Sequence, residues 1–284
     1  MTKEKIKLHY PDPGMTIHGE NACKYHNFEK YDWKTDRNKP AMFWLYFEDD
    51  YKLLANHTGK KYVFWHNSDV RILLNNRTIA QYIPILRDES IIHICHNALL
   101  QGELSSRGIY AVISPIFWGD IYKYKRQSKF TKDCYITVPA RDHRPETDRG
   151  MEYGETIMNT LAWQFPDWNF HIFGVDPIIT VYCHNLHYYG WITEDEMDKI
   201  TDSFGICFRF NFHDGFSQTV MKALVRGQRA ITTIDYGPMT YYCKNYQEIS
   251  DVYMALEEVN DFNNEIGYVQ VYPETFNNFN FLEL

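Results

Sequence analysis

FGICFRFNFHDGFSQTVMKALVRGQRAITTI, residues 204–234, changes its period twice in one short stretch. Residues 204–210 are a mostly apolar run of strand length. A loop carrying Asp214 and Gly215 follows. Residues 217–225 then take a helical apolar spacing, Gly227 supplies a turn, and residues 229–234 are again strand-like. Strand, helix and strand joined by short connections form a βαβ unit, which places its two strands parallel.

The same rhythm extends in both directions. Upstream lie a strand at 134–138 and a long polar loop at 139–154 containing Arg141, Arg144 and Arg149. A helix at 155–165 places Ile157, Met158, Leu161, Ala162 and Phe165 on one face. Strands are expected at 169–173, closed by Gly174, and at 178–182. A helix at 194–203 opens with Thr193 as N-cap and Glu196 three residues on, a capping box. Downstream, a helix is expected at 247–257, and the last ~25 residues have no clear period. The first half repeats the pattern. Its strands are expected at 41–47, 62–65, 91–95 and 109–113, with helices at 49–57 and 98–107 and Gly108 as C-cap. Glu48-Asp49-Asp50 reads as an acidic first helical turn.

Composition supports a folded α/β chain. At 284 residues it is long enough for two domains. With 44% hydrophobic and 23% charged residues it is neither disordered nor fibrous. No run of ~18 apolar residues is present, and the N-terminus lacks the apolar core of a secretory signal. The expected location is therefore cytoplasmic, or the bacterial host cytoplasm for a viral enzyme. Six scattered cysteines, none in C-x-x-C spacing, read as small buried hydrophobes in a reducing compartment. His93 and His96 have too few neighbouring ligands to suggest a metal site, and none is expected.

The net charge of −8 is unevenly spread. Residues 1–133 hold 20 Lys+Arg against 15 Asp+Glu, a balance of +5, and residues 134–284 hold 9 against 22, a balance of −13. Between the halves, KYKRQSKFTK at 123–132 carries five basic residues and no acidic ones, and reads as a linker. The expected organisation is a first domain at 1–122, a basic linker at 123–133, a second domain at 134–258 and a tail at 259–284 returning to the first domain.

FHIFG at 170–174, YYGWITEDEM at 188–197 and FNFHDGFSQTVMKALVRGQRAITT at 210–233 occur in fixed order. Across roughly residues 134–235 this resembles the donor domain of GT-B glycosyltransferases, most closely the retaining enzymes of glycosyltransferase family 4. The first half matches more loosely, its His66-Asn67-Ser68-Asp69 resembling the "HGSD" turn of the acceptor domain. The resemblance implies two Rossmann-like domains with a cleft between them. It implies transfer of a sugar from a nucleotide-sugar, a UDP- or GDP-sugar, to a hydroxyl acceptor with retention and without a cofactor.

Elementary chemistry agrees with these positions. A strand-to-helix loop offers free N–H groups and a positive helix end to a diphosphate. Here that loop is His213-Asp214-Gly215-Phe216-Ser217, with Gln218 beginning the helix. Asp214 is expected to orient the donor sugar, and His66 to sit near the reacting centre. Arg141, Arg144 and Arg209 are expected to stabilise the leaving diphosphate. The family's E-x7-E is altered: Asp214 takes the first glutamate position and Lys222 the second, where Lys222 is expected near a donor phosphate. Asp69, Lys123, Lys125 and Arg126 are expected on the acceptor side. A basic first half beside an acidic second half suits an anionic acceptor, with hydroxymethylated DNA, as in phage DNA-modifying enzymes, or an envelope glycan as candidates. The alternatives are a catalytically weak nucleotide-sugar-binding relative and a nucleic-acid-binding protein reusing the fold.

Overall fold

The computed structural model describes residues 5–124, 130–139, 153–177, 183–245 and 248–265. It divides into two compact units. Among the described residues, the first comprises 5–121 with Asp214–Phe216, and the second comprises those of 122–213 and 217–265. The expected strand at 178–182, the loop bearing Arg141 and Arg144, the linker residues Lys125 and Arg126, and the tail beyond residue 265 lie outside the described residues.

In the first unit the strands are β1 (Ile6–His9), β2 (Phe28–Lys30), β3 (Ala41–Phe43), β4 (Lys61–Trp65), β5 (Ile91–Cys95) and β6 (Ala111–Ile113). The helices are α1 (Thr16–Tyr25), α2 (Glu48–Asn56), α3 (Ser68–Asn75), α4 (Arg77–Ala80), α5 (Ile83–Leu86) and α6 (Ala98–Ser105). The strands form one parallel sheet in the order β2-β1-β3-β4-β5-β6. Successive strand residues feed different cores, because side chains alternate across a sheet. Ala41, Phe43, Val63, Trp65 and Cys95 pack on one face, whereas Met42, Trp44, Tyr62, Phe64 and Ile94 pack on the other. Burial on both faces explains why these strands are nearly continuously apolar rather than alternating.

The second unit has β7 (Asp133–Thr137), β8 (Asn169–Phe173), β9 (Leu186–Tyr188), β10 (Ile206–Arg209), β11 (Arg229–Thr232) and β12 (Tyr241–Tyr242). Its helices are α7 (Glu155–Gln164), α8 (Glu194–Thr201), α9 (Gln218–Val225) and α10 (Ile249–Glu265). The sheet is again parallel, in the order β12-β11-β10-β7-β8-β9. Cys134, Ile136, Phe170, Ile172, Ile206 and Phe208 face a core closed by Met158 and Leu161 of α7 and by Val252 and Leu256 of α10. The amphipathic stripe of residues 155–165 thus has its partner.

The Thr193–Glu196 capping box forms as the sequence requires, with the Thr193 hydroxyl accepting from the Glu196 N–H. The acidic run at 48–50 is the first turn of α2. There the buried Asp50 carboxylate accepts from the N–H groups of Tyr46 and Phe47 and lies 2.7 Å from His9. All six cysteines are free thiols, four of them buried.

Candidate functional site

In a parallel sheet, the loops after the strands gather at one edge, where open α/β folds bind their ligands. In the first unit, His66 follows the end of β4 and His96 the end of β5. Pairing of β4 with β5 brings the two imidazoles together, with ring centroids 5.8 Å apart. Both are buried, His66 against Trp44 (4.6 Å) and Phe64 (5.0 Å), and His96 against Phe64 (4.9 Å). Among the described residues, neither ring nitrogen of His66 and not Nδ1 of His96 has a hydrogen-bond partner. Asp69 Oδ2 lies 3.5 Å from His66 Nδ1 without forming a hydrogen bond. Burial, with His66 and His18 nearby, holds the His96 imidazole well below its ordinary pKa, so it is neutral near pH 7. Buried polar atoms without partners are uncommon in proteins, and each calls for an explanation.

The residues that follow shape the edge. Asn97 caps α6, its side-chain oxygen accepting from the Leu100 N–H at 3.0 Å. Its amide Nδ2 donates to the carbonyls of Asp214 (3.0 Å) and Gly215 (2.6 Å). The segment Asp214–Phe216 groups with the first unit, and all three residues are buried. A side chain at 215 would place its Cβ 1.7 Å from the His66 carbonyl oxygen and 3.1 Å from His96 Cδ2. The glycine is therefore needed for a close backbone approach, not for an unusual dihedral angle. Asp69, expected on the acceptor side, is fully buried. Its carboxylate accepts from the N–H groups of His66, Asn67 and Val70 at 2.8–3.1 Å, so it shapes the turn under His66 from behind.

In the second unit the quoted motifs meet. Gly174, after β8, donates its N–H to the Gly190 carbonyl at 2.6 Å. It adopts φ +95°, and a Cβ there would lie 2.0 Å from the Val138 carbonyl oxygen. The strand ends of β10 and β11 are tied just ahead of the His213 loop. There the Asn211 N–H donates to the Thr233 hydroxyl (2.8 Å), which donates in turn to the Asn211 carbonyl (2.5 Å). Arg209 and His213 are half-buried. Ser217 precedes the eight-residue α9 without a side-chain cap. Gln218, the first helical residue, turns its amide to Met221 Sδ at 3.5 Å.

Lys222, expected near a donor phosphate, has ionic partners within its own unit. Its ammonium bonds Glu194 and lies 3.3 Å from Asp198 Oδ1, both on α8. The arrangement includes Arg226, which sequence reasoning missed. The Arg226 guanidinium is buried, donates to Asp198 Oδ1 at 2.8 Å and covers the Tyr124 ring at 4.4 Å. Lys123, expected on the acceptor side, groups with the second unit and pairs with Asp195 (3.0 Å) and Asp198 (3.4 Å). The ion-paired partners are separated by 24 to 75 positions, so no local motif announces the cluster.

His93 uses both ring nitrogens internally: Nδ1 accepts from Trp65 Nε1 at 3.2 Å and Nε2 donates to the Leu86 carbonyl at 2.8 Å. Neither is available to a metal. Among the described residues no group of three His, Cys, Asp or Glu is arranged to hold one, and no helix is long and apolar enough to cross a membrane.

Comparison with known proteins places this architecture. No family model matches the chain, and no curated protein matches it by sequence. Solved structures do match. The HepE protein of Anabaena, in complex with UDP, aligns with a TM-score of 0.59 over 92% of this chain and 91% of its own, at 8% identity. The lipopolysaccharide outer core galactosyltransferase WaaB aligns at 0.52 over 96% and 82%, at 14% identity. TarM of S. aureus aligns at 0.54 over 79% of this chain, at 15% identity, and the chain spans 49% of its length. The chain therefore has the α/β fold of the GT-B glycosyltransferases, built on two parallel six-stranded sheets.

Proposed function

We propose that this protein transfers a sugar from a nucleotide-sugar, most simply a UDP-sugar, to a hydroxyl acceptor with retention of anomeric configuration. The observation that carries the proposal is the strand-end pair His66 and His96. Their partnerless ring nitrogens sit beside the Asp214–Gly215 backbone that Asn97 holds. The UDP bound by HepE supports the choice of nucleotide.

In this reading Asp214 orients the sugar, and the N–H groups of Phe216, Ser217 and Gln218, with Arg209, receive the diphosphate. Arg141 and Arg144, outside the described residues, are assigned to the same diphosphate. The C1–O bond to the β-phosphate breaks while the acceptor oxygen bonds C1 on the same face. The departing phosphate oxygen takes the acceptor proton. No protein nucleophile is needed, so the protein contributes position and electrostatic stabilisation. His66 hydrogen-bonds a hydroxyl at the reacting centre. Lys222, already bonded to α8, is left out of the donor set.

The test is release of UDP from a panel of UDP-sugars, with GDP-sugars as comparison, by wild type, Asp214→Ala and His66→Ala. The acceptor arms are hydroxymethylated DNA and an envelope glycan, and the product anomer is read by NMR. Wild type is expected to turn over one donor, with both variants slower by at least ~10²-fold. Equal rates in all three, or an inverted product, would overturn the proposal.

A further inference from the structure

A second concavity lies in the first unit, away from the histidine edge. It is a half-open pocket of about 260 Å³ lined by Tyr31, Trp33, Arg37, Leu53 and Asn56. Arg37 and Asn56 fix its position. The Arg37 carbonyl accepts from the N–H groups of Thr58 (2.7 Å) and Gly59 (3.1 Å), just before β4 begins, and Asn56 ends α2. His66 follows the other end of β4. Five residues of strand at ~3.3 Å each put roughly 16 Å between the two levels of the sheet. The pocket is therefore distinct from the candidate site.

Its walls are amphipathic. Tyr31 is held in place: its ring packs edge-on to Phe43 at 5.4 Å and its hydroxyl lies 3.1 Å from His57 Nδ1. Trp33 is 56% exposed, a large flat apolar surface beside the pocket mouth. Opposite these rings, Arg37 directs Nε (3.3 Å) and Nη2 (3.0 Å) to the Asn56 carbonyl, which fixes the guanidinium plane and leaves its remaining N–H groups to a ligand. The Asn56 amide donates to the Lys52 carbonyl at 2.8 Å, so its side-chain oxygen remains an acceptor.

A second cation stands beside the rings. Lys34 Nζ stands 5.7 Å from the Trp33 ring. The loop's acids are engaged elsewhere: Asp36 with Lys39 and Lys7, and Asp32 Oδ1 with the Lys34 N–H. Among the described residues no carboxylate pairs with Arg37.

We propose that this pocket binds one acidic sugar unit. The apolar face of a pyranose ring lies on Trp33 and Tyr31, its hydroxyls meet Asn56, and its carboxylate or phosphate substituent meets Arg37. The volume lies below the ~300–1,000 Å³ of typical small-molecule sites, which suits one ring rather than a chain. Aromatic faces bind any planar or pyranose surface, so Arg37 carries the selectivity.

The test is titration of the full-length protein with methyl glucuronide, methyl glucoside, glucose 6-phosphate and acetate, read at the Trp33 indole N–H by NMR. Methyl glucuronide is expected to shift the Trp33 resonance saturably, about fivefold more tightly than methyl glucoside. That ratio equals the ~1 kcal/mol of an exposed ion pair. Tighter binding of glucose 6-phosphate than of methyl glucuronide would assign the anion as phosphate, and the reverse as carboxylate. Arg37→Ala is expected to make glucuronide and glucoside equal, and Trp33→Ala to abolish binding of both in saturation-transfer spectra. Both residues are exposed, so these variants keep the fold. Equal glucuronide and glucoside affinity in wild type, an acetate response equal to the glucuronide response, or undiminished binding by Trp33→Ala would each overturn the proposal. These readouts do not involve donor turnover, so failure here leaves the glycosyltransferase reading to its own assay.

Discussion

Replacing Asp198 with Asn is expected to be among the most destabilising single substitutions in the second unit. Asp198 is 6% exposed and is the common partner of Arg226, which is 1% exposed, and Lys222, which is 6% exposed. Lys123 and the Tyr124 hydroxyl reach the same carboxylate at 3.4 and 3.3 Å. The substitution keeps the side-chain shape and removes the charge, leaving two buried cations facing a neutral amide with only the exposed Glu194 and Asp202 carboxylates beside them. Breaking a buried pair on one side costs about 3–5 kcal/mol. At ~2–4 °C per kcal/mol for a unit of this size, the melting temperature should fall by roughly 10 °C. Asp195→Asn is the control. Its side chain is 77% exposed, and its pairing with Lys123 is a surface contact worth at most ~1 kcal/mol. The pH dependence follows from the same groups. Burial alone would raise the Asp198 carboxyl, but Lys222 and Arg226 outweigh it and hold the group below its ordinary range. A carboxyl depressed on folding stabilises the native state above its unfolded value of ~3.9, and that contribution is lost as pH falls through the lower folded value. The stability gap between wild type and variant, measured by urea unfolding, should therefore hold from pH 7 to 5 and close below about pH 4. A gap under ~1 kcal/mol, or one that closes between pH 7 and 5, would refute the reasoning.

Three further outcomes are expected. Lys222→Met should cost about 1–3 kcal/mol in urea unfolding while changing nucleotide-sugar affinity less than ~2-fold; a large loss of affinity by calorimetry, with stability intact, would return Lys222 to the donor site. Gly215→Ala puts a methyl group 1.7 Å from the His66 carbonyl, so the loop must move; activity should fall at least ~10²-fold with a stability cost of about 1–3 kcal/mol, read by turnover and melting. Stability should also fall between pH 7 and pH 5. Burial, only partly opposed by the Leu86 hydrogen bond, holds the His93 pKa at about 4, and His26, His57 and His96 are depressed in the same direction. The unfolded chain takes up these protons near pH 6.5 and the folded chain does not, so stability is lost as pH falls through that window. His93→Gln should flatten this urea-unfolding slope, and an unchanged slope would show that His93 does not contribute.

Much of the fold was legible because parallel strands buried on both faces leave long apolar runs. Residues 61–65 and 91–95 are of that kind, and so are 206–209 and 229–232. The first forty residues gave no such signal. In β1, IKLH alternates buried and half-buried positions over four residues, and α1 is a weakly amphipathic helix with Gly19 at its centre. That glycine is needed because a Cβ would meet the Tyr10 ring, a reason visible only in three dimensions. The helices α3 to α5 escaped because two of them are single turns. At the candidate site, His66 and the Asp214–Gly215 loop could be found from their places after strands. His96 and Asn97 could not, since what matters is adjacency of β4 and β5 across thirty residues. Asp69 marked the right turn, where its carboxylate accepts from the backbone N–H groups of His66, Asn67 and Val70.

The charge contrast between the halves changes once the boundary is physical. The first compact unit's main segment ends at Ile121, before the basic run begins. Residues 1–121 hold 15 Lys+Arg and 14 Asp+Glu, a balance of 15 − 14 = +1 in place of +5. Lys123, at the start of the basic stretch, groups with the second unit and pairs with Asp195 and Asp198. A bulk positive field on the first unit therefore cannot be what draws an acceptor. Any preference for an anionic substrate must come from individual cations with no carboxylate partner. Among the described residues, Arg37, on the pocket lined by Tyr31 and Trp33, is such a cation. Salt would screen an exposed cation of this kind only as a single contact, so affinity for an acidic sugar should weaken gently with ionic strength rather than with the steep slope of a polyanion-binding surface.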